Sequence, residues 1–371
     1  MPSGRLTAHA AGDARRVVRQ AEHAVASALR GERGGVDDEG AFARAALTHR
    51  VAALLVHAGA ADWLPPAAAA ALRDEARQQA AIWAVRHREL SRIAAAARLA
   101  AVDLMVVKGA HLAYTHYPDI SARDCLDADL FVRPRDLPRL VELLNELGYV
   151  RSAANVGEAA LGQTIFERPR LPGTTLDVHS RLFTAPSLAG LMDFDCVWAR
   201  SSPLPRIGPG VRVPHPSDAL ELAVLHQAIH HPADVRLFWL YDVYLLLSRL
   251  GEGEAERFAE DLRKRGLTAW TAPLLEAQAW FPTAAGAVLA AGIRAASERS
   301  SAPGPSRRRS RARQVLGEVA ALPSWRDRLR FLAAHLFPSG DYMRQTYAPG
   351  RRVPLPLLYV LRMIRGAFKR L

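Results

Sequence analysis

The stretch Leu126-Asp127-Ala128-Asp129-Leu130-Phe131-Val132 decides the fold. It reads as a short β-strand in which Leu126, Ala128, Leu130 and Val132 alternate with Asp127, Asp129 and Phe131. Residues i and i+2 of a strand point to the same side, so the two aspartates stand together. Like charges side by side repel and are costly to pack. They become favourable around a divalent cation, since Mg²⁺ prefers carboxylate oxygens together with substrate phosphates. Taken alone, an Asp-x-Asp is more often an edge strand with two solvated acids.

The neighbours change that balance. Upstream, Val102–Val107 is a β-rich apolar run ending at Lys108-Gly109, followed by a helical stretch over 110–116 and by Tyr117-Pro118. A strand-to-helix turn of this kind offers backbone N–H groups and a positive helix end to a phosphate. Lys108 adds a point charge, and only three of the 49 basic residues are lysines (Lys108, Lys264 and Lys369). Arg123, in the polar loop 119–125, stands four residues before Asp127. It is close enough to reach a polyphosphate, or else it pairs with Asp119 or Asp124. Downstream, 136–147 reads as a helix with Gly148 as its C′ residue. Tyr149-Val150, Thr164–Glu167 and Thr174–Val178 read as strands. Leu176-Asp177-Val178-His179 sets an acid between apolar residues, so that Asp177 either completes a three-carboxylate cluster or ends a strand in solvent. Interleaved strands and helices over 102–180 predict a compact α+β core.

In this order, Lys108-Gly109-Ala110-His111-Leu112, Tyr117-Pro118, Arg123, Asp127–Val132 and Asp177-Val178-His179-Ser180-Arg181-Leu182 resemble the bacterial uncharacterised nucleotidyltransferase family, within the nucleotidyltransferase superfamily. The resemblance covers about 100–250 well. It implies an α+β fold with a nucleotidyltransferase-type mixed sheet flanked by helices. It implies metal binding and catalysis by Asp127, Asp129 and Asp177, with two Mg²⁺ ions and an NTP substrate. Asp177 would deprotonate or orient the acceptor, Lys108, Gly109 and Arg123 would hold the phosphates, and His179, Arg181, His226 and Asp242 would border the acceptor. One departure is the turn itself. It reads Gly109-Ala110 where the superfamily commonly has Gly-Ser or Gly-Gly, and Ala110 has no side chain to bond a phosphate.

The flanks are helical. Residues 1–100 are rich in strong helix formers, with a long helix expected over 67–101 after Pro65-Pro66. Residues 101–215 form the expected core. Residues 216–298 form a helical domain, with helices over 219–231 (capped by Asp218), 234–250, 253–265 and 268–281. Residues 299–313 read as an Arg/Ser-rich linker or loop, and 314–371 as C-terminal helices. In the tail, Leu357, Leu361, Ile364, Phe368 and Leu371 line one helix face, with Arg362, Arg365 and Lys369 on another. This basic amphipathic helix suits packing on the core, or peripheral contact with an anionic membrane through 351–371.

The 371 residues carry a net charge of +12, with 50% hydrophobic residues. That apolar content excludes a disordered chain. Residues 299–313 hold six Arg and no acid, and 351–371 hold five Arg, one Lys and no acid, which together account for the +12. The rest of the chain therefore balances to zero, and nucleic acid is a less favoured partner than a small-molecule, peptide or glycan acceptor. Two cysteines build no disulfide framework. Cys125, among acids that disfavour a thiolate, reads as structural. His226 and His230 have an i, i+4 spacing that can bind Zn²⁺, but Gln227 follows His226 where that motif needs a carboxylate, and packing is the better reading. The absence of an apolar leader or spanning run predicts a cytoplasmic protein. The expected activity is Mg²⁺-dependent transfer of a nucleoside monophosphate to a hydroxyl or phosphate in natural-product, peptide or polysaccharide tailoring. The alternatives are an inactive binding module of the same fold and a membrane-surface accessory protein.

Overall fold

A computed structural model of the chain describes all residues except 1–2, 153–161, 184–187, 189, 232–233, 300–318, 321–323, 338–339, 349–352 and 369–371. The Arg-rich segment therefore lies outside the described residues beyond Arg299. Two compact units are made from interleaved segments. One comprises 1–87, 108–126 and 215–307, and the other 88–107, 127–214 and 308–371.

The second unit holds a seven-stranded mixed sheet, as the α+β expectation required. Its strands are β1 (Leu104–Val107), β2 (Ala128–Phe131), β3 (Val150–Arg151), β4 (Gln163–Glu167), β5 (Leu176–His179), β6 (Ser202–Pro203) and β7 (Val211–Val213), in the order β3-β4-β5-β2-β1-β7-β6. β2 lies between antiparallel β1 and parallel β5. The three central strands are buried at every residue, as central strands covered on both faces must be. Apolar side chains fill β1, three of the four positions of β2 and two of the four of β5, so the buried Asp129, Asp177 and His179 are the exceptions that need a chemical reason.

Local chemistry sets the ends of the helix over Leu137–Glu146, which buries Leu140, Leu143 and Leu144. Gly148 takes φ +85°, the left-handed conformation a glycine tolerates. Its N–H reaches Asn145 O at 2.9 Å and the next N–H, of Tyr149, reaches Leu144 O at 2.9 Å. This is the Schellman pattern that closes a helix on its own carbonyls. Phe194, opening the helix Phe194–Arg200, meets Phe131 of β2 at a ring separation of 5.0 Å.

The first unit is helical apart from its loops. The long helix Pro66–Leu99 contributes its residues up to His87 to this unit and the rest to the second, with its proline at the first turn where no N–H partner is lost. The expected cap at Asp218 is corrected: the helix is Pro216–His230, with His215 as N-cap, and Asp218 is a buried residue of the first turn. Pro216 supplies the fixed φ of a helix start, which moves the boundary upstream of the acid. The next helices are Leu237–Leu247, Glu252–Lys264, Ala272–Trp280 and Ala284–Arg299.

In the tail helix Leu355–Phe368, the buried residue is Leu358, packed with Met343 and Ala348 and flanked by Leu355 and Tyr359. Leu357, expected on the packed stripe, is exposed, as are Val360 and Met363. At this point Leu358 rather than Leu357 is the residue that packs with Met343 of the neighbouring helix Gly340–Tyr347. The side chains from Ile364 onward lie outside the described residues. Among the described residues, no helix is long and apolar enough to cross a membrane.

Candidate active site

β2 and β5 run parallel with Asp129 opposite Asp177 and Phe131 opposite His179. The two carboxylates are thus neighbours on one face of the sheet, and His179, two residues beyond Asp177, shares that face. His179 Nε2 lies 2.9 Å from Asp129 Oδ1 and 3.2 Å from Asp177 Oδ2. All three side chains are buried. On the other side of β5, β4 pairs antiparallel with Gln163 opposite His179. The Gln163 amide donates to Asp177 Oδ2 at 2.6 Å. Asp177 Oδ1 is buried and has no hydrogen-bond partner.

Leaving a buried carboxylate oxygen unsatisfied costs about 1–3 kcal/mol or more, and two adjacent buried carboxylates add mutual repulsion. A divalent cation would relieve both. One ligand atom from each of Asp129, Asp177 and His179 falls within 4.8 Å of the others. Two carboxylates and an imidazole are a chemically sound donor set for such an ion, so the residues fit the metal that the fold implies.

Asp127 is outside this triad. It lies one residue before β2, half-buried, at the end of the loop that enters the strand. His179, expected on the acceptor side, is bonded to the carboxylates, and Arg181 is exposed two residues later. Gln163 was missed. It adjoins the stretch expected as a strand over 164–167, and only the register of β4 on β5 turns it toward Asp177.

In the first unit, Lys108 opens the helix Lys108–Thr115 and holds φ +52°, a left-handed conformation uncommon for a residue with a Cβ. Strain of this kind collects at functional turns. At Gly109, a Cβ would stand 3.1 Å from Cys125 Sγ and 3.2 Å from Arg123 Nη2, so the glycine lets the turn approach that loop.

Arg123 forms its ion pair with neither the Asp119 nor the Asp124 carboxylate, although its Nη1 donates to the Asp124 main-chain carbonyl. Asp119 caps the turn Ile120–Ala122 by accepting from Ser121 N at 2.8 Å, and Asp124 binds Arg50 at 2.6 and 2.8 Å. The Arg123 guanidinium instead forks onto Asp242, with Nε 2.9 Å from Oδ1 and Nη2 2.6 Å from Oδ2. Tyr117 donates its hydroxyl to Asp242 Oδ1 at 2.8 Å, and Phe238 lies under the guanidinium at 4.3 Å. Arg123 is only 5% exposed. Burial weakens its charged form, but Asp242 overrides this and holds its pKa well above the ordinary arginine value. Burial and Asp242 likewise raise the Tyr117 phenol. Two further residues missed from sequence secure the same loop. Trp83 donates to Arg123 O at 2.8 Å, and Arg86 donates to Cys125 O at 3.1 Å and Leu126 O at 3.0 Å. Their signal was faint: a Trp and an Arg one turn apart in an alanine-rich helix.

His226, His230 and His231 form a ring cluster, with His226 5.0 Å from His230 and 5.4 Å from His231. His231 in turn lies 4.3 Å from Trp239. Among the described residues, this trio is not a group that could share a cation; Asp129, Asp177 and His179 are.

A mixed sheet carrying buried acids in register on neighbouring central strands is the core of a nucleotidyltransferase-type fold. Residues 36–282 match the model of the family described as "Uncharacterised nucleotidyltransferase", well over half of the chain, and the protein belongs to that family. No curated protein matches the sequence.

Proposed function

We propose that this protein is a metal-dependent nucleotidyltransferase that moves a nucleoside monophosphate from an NTP to a hydroxyl or phosphate acceptor. The observation that carries the reading is the buried Asp129–Asp177 pair, opposite one another on β2 and β5 and joined by His179. A pair so expensive to bury is understandable where a cation and a polyphosphate are handled.

In this proposal Asp129 and Asp177 hold divalent cations, with Asp127 as a further oxygen donor. Two Mg²⁺ ions belong to the same proposal. When bound, such ions neutralise the triphosphate and activate the acceptor oxygen. Asp177, fixed through Oδ2 by Gln163, orients or deprotonates the acceptor hydroxyl. The acceptor oxygen bonds to the α-phosphorus as pyrophosphate leaves. Lys108 and the N–H groups of the Gly109 turn take the phosphates. Arg123 serves by holding the loop that leads to Asp127. The balanced charge of the chain outside its two basic segments supports a small-molecule, peptide or glycan acceptor over nucleic acid. A cytoplasmic setting and a tailoring role belong to the same proposal.

The test is incubation with α-labelled NTPs, divalent cation and cell extract, followed by a search for labelled product. Transfer is expected from the wild-type chain and is expected to fall at least ~10²-fold in Asp129→Asn and Asp177→Asn. Unchanged transfer in either variant would sink the assignment.

A further inference from the structure

We infer that His179 is itself a cation ligand, and that Asp129, Asp177 and His179 make a site that prefers Mn²⁺ to Mg²⁺ even without nucleotide. The inference rests on the reading of the triad as the metal end of the site and specifies its ligand chemistry. Sequence pattern supplied three carboxylates, an all-oxygen set suited to Mg²⁺. The structure supplies two carboxylates and one imidazole nitrogen, all buried, with Asp127 outside the group.

Several observations point the same way. Nε2 of His179 is the atom that faces both carboxylates, at 2.9 and 3.2 Å. That places a nitrogen lone pair, once its proton has left to solvent, where a cation bound by the two aspartates would lie. Asp177 is 6% exposed, and its Oδ1 has no partner. Gln163 holds Oδ2 of the same carboxylate at 2.6 Å. This is the arrangement of an outer amide that fixes a ligand's orientation and leaves its second oxygen for a metal. Mg²⁺ accepts imidazole reluctantly and keeps its waters, whereas first-row transition ions take nitrogen and oxygen donors together. Mn²⁺ is the member of that series that also suits carboxylates and phosphates.

The experiment uses the full chain without nucleotide. Mn²⁺ is titrated while free ion is followed by electron paramagnetic resonance, and Mg²⁺ is then added as competitor. Pulsed measurements on the Mn²⁺-loaded wild type look for coupling to a directly bound ¹⁴N. Mn²⁺ is expected to bind about tenfold or more tightly than Mg²⁺, with ¹⁴N coupling present. His179→Gln is expected to weaken Mn²⁺ by about 10–100-fold while changing Mg²⁺ little, and Gln163→Leu to weaken both. Absence of ¹⁴N coupling in the loaded wild type overturns the inference and needs no variant to fold. Equal Mn²⁺ affinity in wild type and His179→Gln also overturns it, as does a wild-type chain that prefers Mg²⁺. The outcome is separable from the transfer reaction. A chain that binds Mn²⁺ through His179 yet transfers no nucleotide upholds the ligand and refutes the enzyme, and the converse result does the reverse.

Discussion

Arg123 and Asp242 stand 119 residues apart in the chain, yet they form a buried fork that Tyr117 completes. A pair of this kind adds little over an apolar replacement, but breaking it strands a charge in the interior. Arg123→Met is therefore expected to destabilise the chain by about 3–5 kcal/mol in urea unfolding. A contact made only with substrate phosphate would lower nucleotide affinity and leave the unfolding midpoint in place. The two readings of Arg123 thus predict different instruments moving. At the acidic site the decisive single residue is Asp177, because Gln163 and His179 both bond its Oδ2 while Oδ1 is left over. Asp177→Asn replaces one carboxylate oxygen with an amide NH₂ that cannot ligate and removes the negative charge, and metal titration of that variant is expected to lose at least ~10-fold in affinity.

At the scale of elements, the loop Arg123–Leu126 is fixed by side chains from the long helix Pro66–Leu99. Trp83 and Arg86 satisfy three of its carbonyls, and Arg86 also lies over the Trp83 ring at 5.0 Å. Arg86→Met keeps the apolar stem but leaves the carbonyls of Cys125 and Leu126 without these donors. The expected cost is about 1–3 kcal/mol, with proteolysis of the loop rising in parallel. Glu89, one turn further on, serves the second unit. Burial would raise its carboxyl, but Arg168 and Arg92 outweigh that and hold it below the usual carboxylate range. Arg168 reaches it at 2.8 Å and the Tyr149 hydroxyl at 3.3 Å. The helix end at Gly148 offers a cleaner test. Gly148→Ala must hold φ +85° with a Cβ, and thermal unfolding is expected to register a loss of about 1–2 kcal/mol.

Across the whole molecule, acid sensitivity is written into the first unit. His111 and His116 are buried with rings 5.7 Å apart. Burial lowers His111 to about 3, with His116 and Arg249 adding repulsion, and lowers His116 to about 4, with Arg249 adding to it. Both are neutral when folded at pH 5, whereas an unfolded histidine protonates near 6.5. The unfolded chain then binds more protons, so stability is full above about pH 6.5 and is lost as pH falls toward 4. Each histidine contributes a slope of up to about 1.4 kcal/mol per pH unit in that window. Urea midpoints measured from pH 7 to pH 4.5 are expected to fall, and His111→Gln is expected to flatten the decline. A slope that His111→Gln leaves unchanged would place the acid sensitivity elsewhere.

Sequence by itself determined the alternation. Asp-x-Asp within a short apolar strand, an isolated acid in Leu-Asp-Val-His, and Gly148 closing a helix are readable because side-chain parity in a strand and the left-handed turn after a helix depend on neighbours one to five residues away. The α+β class and the family followed from those local patterns in their order. Which residues meet was decided only by tertiary structure. The parallel register of β2 on β5 sets Asp129 against Asp177 and brings His179 to them, and the antiparallel register of β4 adds Gln163. Nothing local distinguishes Asp127 from Asp129, nor Asp242 from Asp124 as the partner of Arg123. Those choices belong to burial, since an arginine shut away from water must be answered by whichever carboxylate the fold encloses with it.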